Sequence, residues 1–174
     1  MKILVTGGAG FIGSHVVDAY VAAGHEVAAL DNMATGREDN INSGARVFRV
    51  DIRDLDKVQS ALASFKPEVI SHHAAQSEVP KSVADPGYDA LVNIVGGLNV
   101  LRASVDNGVR KIIFSSTGGA LYGEPDIVPA GEDHPIRPLS PYGTSKYAFE
   151  QYLGTFERTF GLNFTTRALL MSMT

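Results

Sequence analysis

The sequence predicts an α/β fold built on a doubly wound parallel sheet with helices on both faces. Three observations predict it. Short apolar runs alternate with stretches of helical periodicity along the whole chain, the pattern of repeated strand–helix–strand units. A glycine-rich turn, Gly7-Gly8-Ala9-Gly10, joins the first such run to the first helical stretch. An acid, Asp31, closes the second run.

Each element follows from local pattern. Residues 2–6 read as the first strand. Residues 11–23 read as a helix with Ile12, Val16, Ala19 and Ala23 on one face and Gly24 as its stop. A second strand covers 26–30, and the polar stretch from Asn32 to Gly44 reads as loop. Arg46 to Val50 is a third strand. The next helix is capped by Asp54, carries Leu55, Val58, Leu62 and Phe65 at helical spacing, and stops before Pro67. Val69 to His72 is a fourth strand. Pro86 opens a long helix ending at Gly108, with Tyr88, Leu91, Val95 and Leu98 on one stripe. Lys111 to Ser115 is the fifth strand. Residues 141–160 form the last helix, with Phe149, Leu153, Phe156 and Phe160 inward, and Phe164 to Leu169 is the sixth strand. Right-handed crossovers then give the sheet order 3-2-1-4-5-6.

Composition narrows the function. A chain of 174 residues is long enough to bury one core. Its net charge of −4 argues against nucleic acid or an anionic membrane as the main partner. With no cysteine there is no disulfide, no thiol catalysis and no Cys-based metal site. The first apolar run, Ile3-Leu4-Val5, is too short for a signal peptide or a membrane span. A cytoplasmic location is the expectation.

The glycine turn is the most informative motif. Gly8, Gly10 and Gly13 satisfy G-x-G-x-x-G, and Gly7, Gly10 and Gly13 satisfy the variant T-G-x-x-G-x-x-G that starts at Thr6. Both spellings let the backbone turn tightly and let a pyrophosphate approach the N–H groups at a helix start. Asp31 lies 18 residues beyond Gly13, where a carboxylate can accept both hydroxyls of an adenine ribose. The 2′-phosphate of NADP would meet that charge at a cost of about 4 kcal/mol at 4 Å and an effective dielectric of 20. The expected cofactor is therefore NAD, bound in a Rossmann-type fold. Asp51, ending the third strand, is placed beside the adenine.

Tyr142 and Lys146 stand four residues apart near the start of the last helix, on one face. For a tyrosine to act as base near neutral pH, its pKa must fall about three units below its usual value near 10. An ammonium about 4–5 Å away supplies most of that energy, and a nicotinamide cation would add to it. The fifth strand ends in Ser115-Ser116-Thr117, where a hydroxyl can orient a reacting alcohol against the tyrosine. Thr117 is the first choice and Ser116 the second. His72 and His73, adjacent on a strand, point to opposite faces and share no metal.

Together these residues resemble the extended short-chain dehydrogenase/reductases, the NAD-dependent epimerase/dehydratase family, and within it the UDP-glucose 4-epimerases. The resemblance rests on the run from Lys2 to Ser14, on Asp31-Asn32 and Thr35-Gly36, on Asp51-Ile52, and on His72-His73-Ala74-Ala75-Gln76. It extends through Asn93, Phe114 to Thr117, Tyr122-Gly123, and Ser140-Pro141-Tyr142 to Lys146. It implies Thr117, Tyr142 and Lys146 as catalytic residues. It implies cofactor contacts from Gly7, Gly10, Phe11, Ile12, Gly13, Asp31, Asn32, Asp51, Ile52, Ala74, Ala75, Gln76, Asn93, Ser115, Tyr142 and Lys146, with no metal. Relatives that eliminate water carry acids just after the strand-five hydroxyl. Here Gly118, Gly119 and Ala120 follow, which points to 4-epimerisation of a UDP-hexose such as UDP-glucose or UDP-galactose by transient oxidation at C4.

The resemblance further implies that residues 1–174 form one NAD-binding domain without the nucleotide-sugar domain of its relatives, and a homodimer through helices 86–108 and 141–160. Two departures stand out. Ile94 and Gly97 replace Val and Thr of an Asn-Val-x-Gly-Thr stretch, and Leu170 stands where an asparagine contacts the sugar. An NAD-binding module without turnover remains open, as do a hexuronate epimerase, a decarboxylase and a 4-ketoreductase.

Overall fold

Six parallel strands form one sheet in the order β3-β2-β1-β4-β5-β6, as the crossover rule requires. The computed structural model describes residues 1–124, 131 and 134–169. The strands are β1 (Lys2–Thr6), β2 (Glu26–Asp31), β3 (Arg46–Arg49), β4 (Val69–His72), β5 (Lys111–Thr117) and β6 (Asn163–Leu169). The helices are α1 (Phe11–Ala22), α2 (Leu55–Phe65), α3 (Val79–Ala84), α4 (Pro86–Ala90), α5 (Gly97–Asp106) and α6 (Pro141–Phe160). Leu170 lies outside the described residues.

Alternation along β1 divides the core. Leu4 packs with Leu30, Ile70, Ile112 and Phe114 under α2, α5 and α6, while Ile3 and Val5 pack with Val27, Ala29 and Val17 of α1 on the other face. Asp54 caps α2 by accepting from the Lys57 N–H at 3.1 Å, as its position before the apolar periodicity predicts. Ser140 caps α6 in the same way through the Gly143 N–H.

Four expectations need correction. The buried residues of α1 are Gly13, Ser14 and Val17; Val16 of the expected face does pack against the core beneath, whereas Ala19 and Ala23 are exposed. The long helix predicted from Pro86 does exist, but it is α4 and α5 joined by a π-helical segment, Leu91–Gly96. Leu91 and Val95 of its predicted stripe face outward, at 42% and 44% exposure. The inward side carries Asp89, Asn93, Gly96 and Gly97 instead. In α6, Phe149 and Leu153 are buried, Phe156 is half-buried against the core and Phe160, the last residue of the helix, is exposed. A six-residue helix, α3, stands where the sequence showed no periodic signal.

Gly97 accounts for one of the two departures. A Cβ there would stand 2.4 Å from the Phe149 ring, so the absent side chain is what lets α5 and α6 close.

Candidate active site

The candidate groups follow the carboxyl ends of β1 to β5 or stand on the helical segment Leu91–Gly96 and on α6, and parallel α/β sheets place their ligands at that edge. The turn after β1 forms its floor. Gly7 sits at φ +68°, and a Cβ on it would lie 2.7 Å from the Ala74 nitrogen. A Cβ on Gly13 would lie 2.1 Å from the Gly7 carbonyl oxygen. The backbone of this turn can therefore approach β4 and the start of α1 only with glycine at both places. Gly10 is the N-cap of α1, with no side-chain cap and no acid in the first turn. The first N–H groups, at Phe11, Ile12 and Gly13, thus present a partial positive charge to an incoming anion. This cradle fits a dinucleotide pyrophosphate.

Thr6 ties the cradle to β4. Its hydroxyl accepts from the His73 and Ala74 N–H groups, both at 3.2 Å, and stands 2.6 Å from His72 Nδ1. With both acceptor sites in use, its single proton goes to Nδ1, which makes His72 a neutral imidazole protonated on Nε2. The ring stacks against Phe114 and tilts against Phe149, and burial holds its pKa down to about 3. His73 turns the other way, with Nε2 2.8 Å from the Ser71 hydroxyl and Nδ1 2.7 Å from the Ser115 hydroxyl. Burial and then the Lys146 charge pull it down to about 4. The two imidazoles do point apart. Among the described residues no group of three or more His, Asp or Glu is arranged to hold a metal ion.

Asp31 is buried, and its carboxylate already has backbone partners. Oδ2 accepts from the Ala9 N–H at 3.0 Å and Oδ1 from the Met33 N–H at 2.8 Å. The expectation that it serves a ribose alone is thereby widened, because the same carboxylate also holds the glycine turn. Asp31→Ala should therefore cost about 1–3 kcal/mol of stability without any nucleotide, through two orphaned donors. Urea unfolding of the free chain measures it, and an unchanged midpoint would contradict the geometry. Asp51 is likewise engaged: Arg53 holds it with two side-chain hydrogen bonds, at 2.9 and 2.7 Å, and Asn32 Nδ2 with a third at 2.9 Å. Chiefly through Arg53, its carboxyl is held well below the usual range. Ile52 is buried beneath the π-helical segment, against Gly96.

At the carboxyl end of β5, the Thr117 hydroxyl stands beside the Tyr142 phenol and favours its ionised form. Thr117, the first choice among the hydroxyls, is thus beside the tyrosine. Ser116 is buried on the opposite side of β5, and its hydroxyl finds no partner among the described residues. Lys146 is buried at 5% exposure. Its Nζ donates to the Ser115 carbonyl at 3.0 Å and lies 5.8 Å from the Tyr142 ring centre.

The electrostatics depart from expectation. Tyr142 is pushed up rather than down, first by burial and then by Asp89, with Thr117 opposing. The Lys146 ammonium is directed to a carbonyl and to the face of Phe114, 4.8 Å away, and lies farther, 5.8 Å, from the Tyr142 ring centre. Burial lowers Lys146 itself to about 8.

Sequence reasoning missed Asp89 and Ser145. Asp89 is fully buried and accepts from Gln76 Nε2, Asn93 Nδ2 and the Ser145 hydroxyl. Gln76 and Asn93 also exchange a backbone–side-chain pair, at 2.9 Å in each direction, so much of their polar capacity serves the protein. A signal did exist: Asp89 and Asn93 are four apart on a helix whose outward face is apolar.

Comparison with known proteins agrees with this geometry. The family model described as the NAD dependent epimerase/dehydratase family matches residues 3–169. A putative UDP-glucose 4-epimerase of Methanocaldococcus jannaschii is 47% identical over 163 residues, 93% of this chain and 53% of that protein. The Thermus thermophilus UDP-glucose 4-epimerase, solved in complex with NAD, superposes with a TM-score of 0.93 at 51% identity, covering 95% of this chain and 54% of that one. The Thermotoga maritima UDP-glucose 4-epimerase, solved with UDP-glucose, gives a TM-score of 0.93 at 46% identity, with the same coverage of 95% and 54%. The chain spans about half the length of these relatives.

Proposed function

Because this chain belongs to the NAD dependent epimerase/dehydratase family, whose cofactor is NAD, we propose that it is the cofactor-binding part of a nucleotide-sugar 4-epimerase of the UDP-glucose/UDP-galactose type. The observation that carries the proposal is the Thr117–Tyr142 pair beside Lys146, at the end of β5, two strands from the glycine cradle, with Gly118, Gly119 and Ala120 after Thr117 rather than acids.

Each residue then has a task. The N–H groups of Phe11, Ile12 and Gly13 hold the pyrophosphate, and Asp31 with Asn32 receives the adenine ribose. Asp51 and Ile52 border the adenine, while Ala74, Ala75, Gln76, Asn93 and Ser115 line the rest of the cofactor's path. When held there, NAD would supply the acceptor for the C4 hydride, and its positive ring would favour a phenolate at Tyr142. Thr117 orients the 4-hydroxyl, Tyr142 takes and returns its proton, and Lys146 adds positive charge beside Ser115. With no acid after Thr117 to drive elimination, the 4-keto sugar keeps its hydroxyls and is reduced again.

Conversion of UDP-galactose to UDP-glucose by a form that also bears a nucleotide-sugar domain tests this, with Tyr142→Phe expected to lower turnover at least a hundredfold. A chain that binds NAD yet isomerises no UDP-hexose, and binds equally well as Tyr142→Phe, would replace it with the second reading, a cofactor module without turnover. The upward push on the Tyr142 phenol is the observation that favours that alternative. A homodimer through helices 86–108 and 141–160 belongs to the same proposal, supported by exposed Leu91, Val95 and Tyr152. Sedimentation as a monomer would remove it. No helix among the described residues is long and apolar enough to cross a membrane.

A further inference from the structure

Asp89 is fully buried, yet its direct partners are all neutral. Its Oδ1 accepts from Gln76 Nε2 at 3.1 Å and from Asn93 Nδ2 at 2.9 Å, and its Oδ2 from the Ser145 hydroxyl at 2.6 Å. These donors come from three separate parts of the chain: the loop after β4, the π-helical segment and α6. A buried carboxylate is costly without a compensating charge nearby. The residue after Ser145 is Lys146, itself buried and, among the described residues, donating to the Ser115 carbonyl at 3.0 Å. Two isolated buried charges of opposite sign on neighbouring elements stabilise one another.

We propose that Asp89 is a positioning residue for the Tyr142–Lys146 pair: through Ser145 it sets the height of α6, and its carboxylate is the buried counter-charge of the Lys146 ammonium. The role of the pair rests on the function proposed above, but the arrangement itself does not. The charges around Lys146 agree in direction. Burial pulls the lysine down, while Asp89 and then Glu150 act against that pull. On the facing strand, His72 and His73 stay neutral and feel the lysine's charge. Asp89 also opposes ionisation of Tyr142, so the same carboxylate that favours the charged lysine favours the protonated phenol.

Two variants test the proposal in the 174-residue chain. Asp89→Asn keeps the shape: the amide oxygen still accepts from Gln76 and Asn93, and its NH2 can donate to Ser145. With lysines carrying 13C at Cε, and the Lys146 signal assigned by its loss in Lys146→Arg, the Lys146 titration midpoint should fall by about one pH unit in Asp89→Asn. A midpoint within about 0.3 unit of the parent, in a folded variant, overturns the counter-charge. Ser145→Ala keeps the carboxylate and cuts its hold on α6. There the Lys146 midpoint should stay, while the dissociation constant for NAD rises about tenfold. Unchanged NAD affinity overturns the positioning role, and this arm decides if Asp89→Asn does not fold. Both readouts are made without a sugar nucleotide, so a failure to isomerise UDP-hexoses would count against the proposed function alone.

Discussion

Replacing Gly13 by alanine is expected to abolish NAD binding and to lower the melting temperature of the free chain by about 10 °C. The added Cβ would stand 2.1 Å from the Gly7 carbonyl oxygen and 2.8 Å from the Gly7 carbonyl carbon. Both are backbone atoms, so no side chain can swing aside to make room. Relief requires α1 to lift from the turn or the turn to leave β4, and overpacking of this kind costs about 3 kcal/mol. In a chain of this size that corresponds to about 10 °C. Either movement also disperses the N–H groups that would hold the pyrophosphate. Melts with and without NAD read both effects, since a ligand at a hundred times its dissociation constant adds about 2.7 kcal/mol. Gly119→Ala is the control, because a Cβ there meets nothing within 4 Å. An undiminished NAD response in Gly13→Ala would show that the cradle is not where the cofactor binds.

The second large effect is acid lability. His72 and His73 are held neutral, with pKa values lowered from 6.5 to about 3 and about 4. In the unfolded chain both protonate near 6.5. As pH falls through that value, the unfolded state takes up protons that the folded state refuses, so stability is lost. The loss continues until each folded-state value is reached, near 4 for His73 and near 3 for His72. Between pH 7 and pH 5 the two together should remove about 4 kcal/mol. Urea unfolding at both pH values measures this, and His73→Gln should recover about half of the difference. A stability unchanged between pH 7 and 5 would contradict the buried, neutral imidazoles. Lys146 acts in a higher window. Its value is lowered to about 8, so the cost of burying its charge is relieved as pH rises from about 8 towards 10.5.

Most of the fold is legible in the sequence because it depends on local pattern. The strands are apolar runs between turn residues, Asp54 announces a helix start, and Gly24 and Gly108 mark helix ends. What misled was the assumption that an apolar stripe marks the inward face. On the helix from Pro86, that stripe carries Leu91 and Val95 outward, whereas Asp89 and Asn93 turn in. Polar residues can face inward only where the fold brings them partners, and Gln76 and Ser145 are 13 and 56 positions from Asp89. No local periodicity encodes such distant pairs.

The candidate site divides along the same line. The sequence by itself determined the sheet order, the glycine cradle, the acid ending β2, and a tyrosine and lysine sharing one helical face, because each follows from spacing along a single element or turn. Only the tertiary structure decided their electrical state. It showed that Asp31 holds the turn through Ala9 and Met33, that Tyr142 is pushed up rather than down, and that Lys146 is directed to the Ser115 carbonyl, with Asp89 buried beyond it. The physical reason is that protonation and hydrogen bonding depend on desolvation and on charges brought near in space, and neither is set until distant segments have packed.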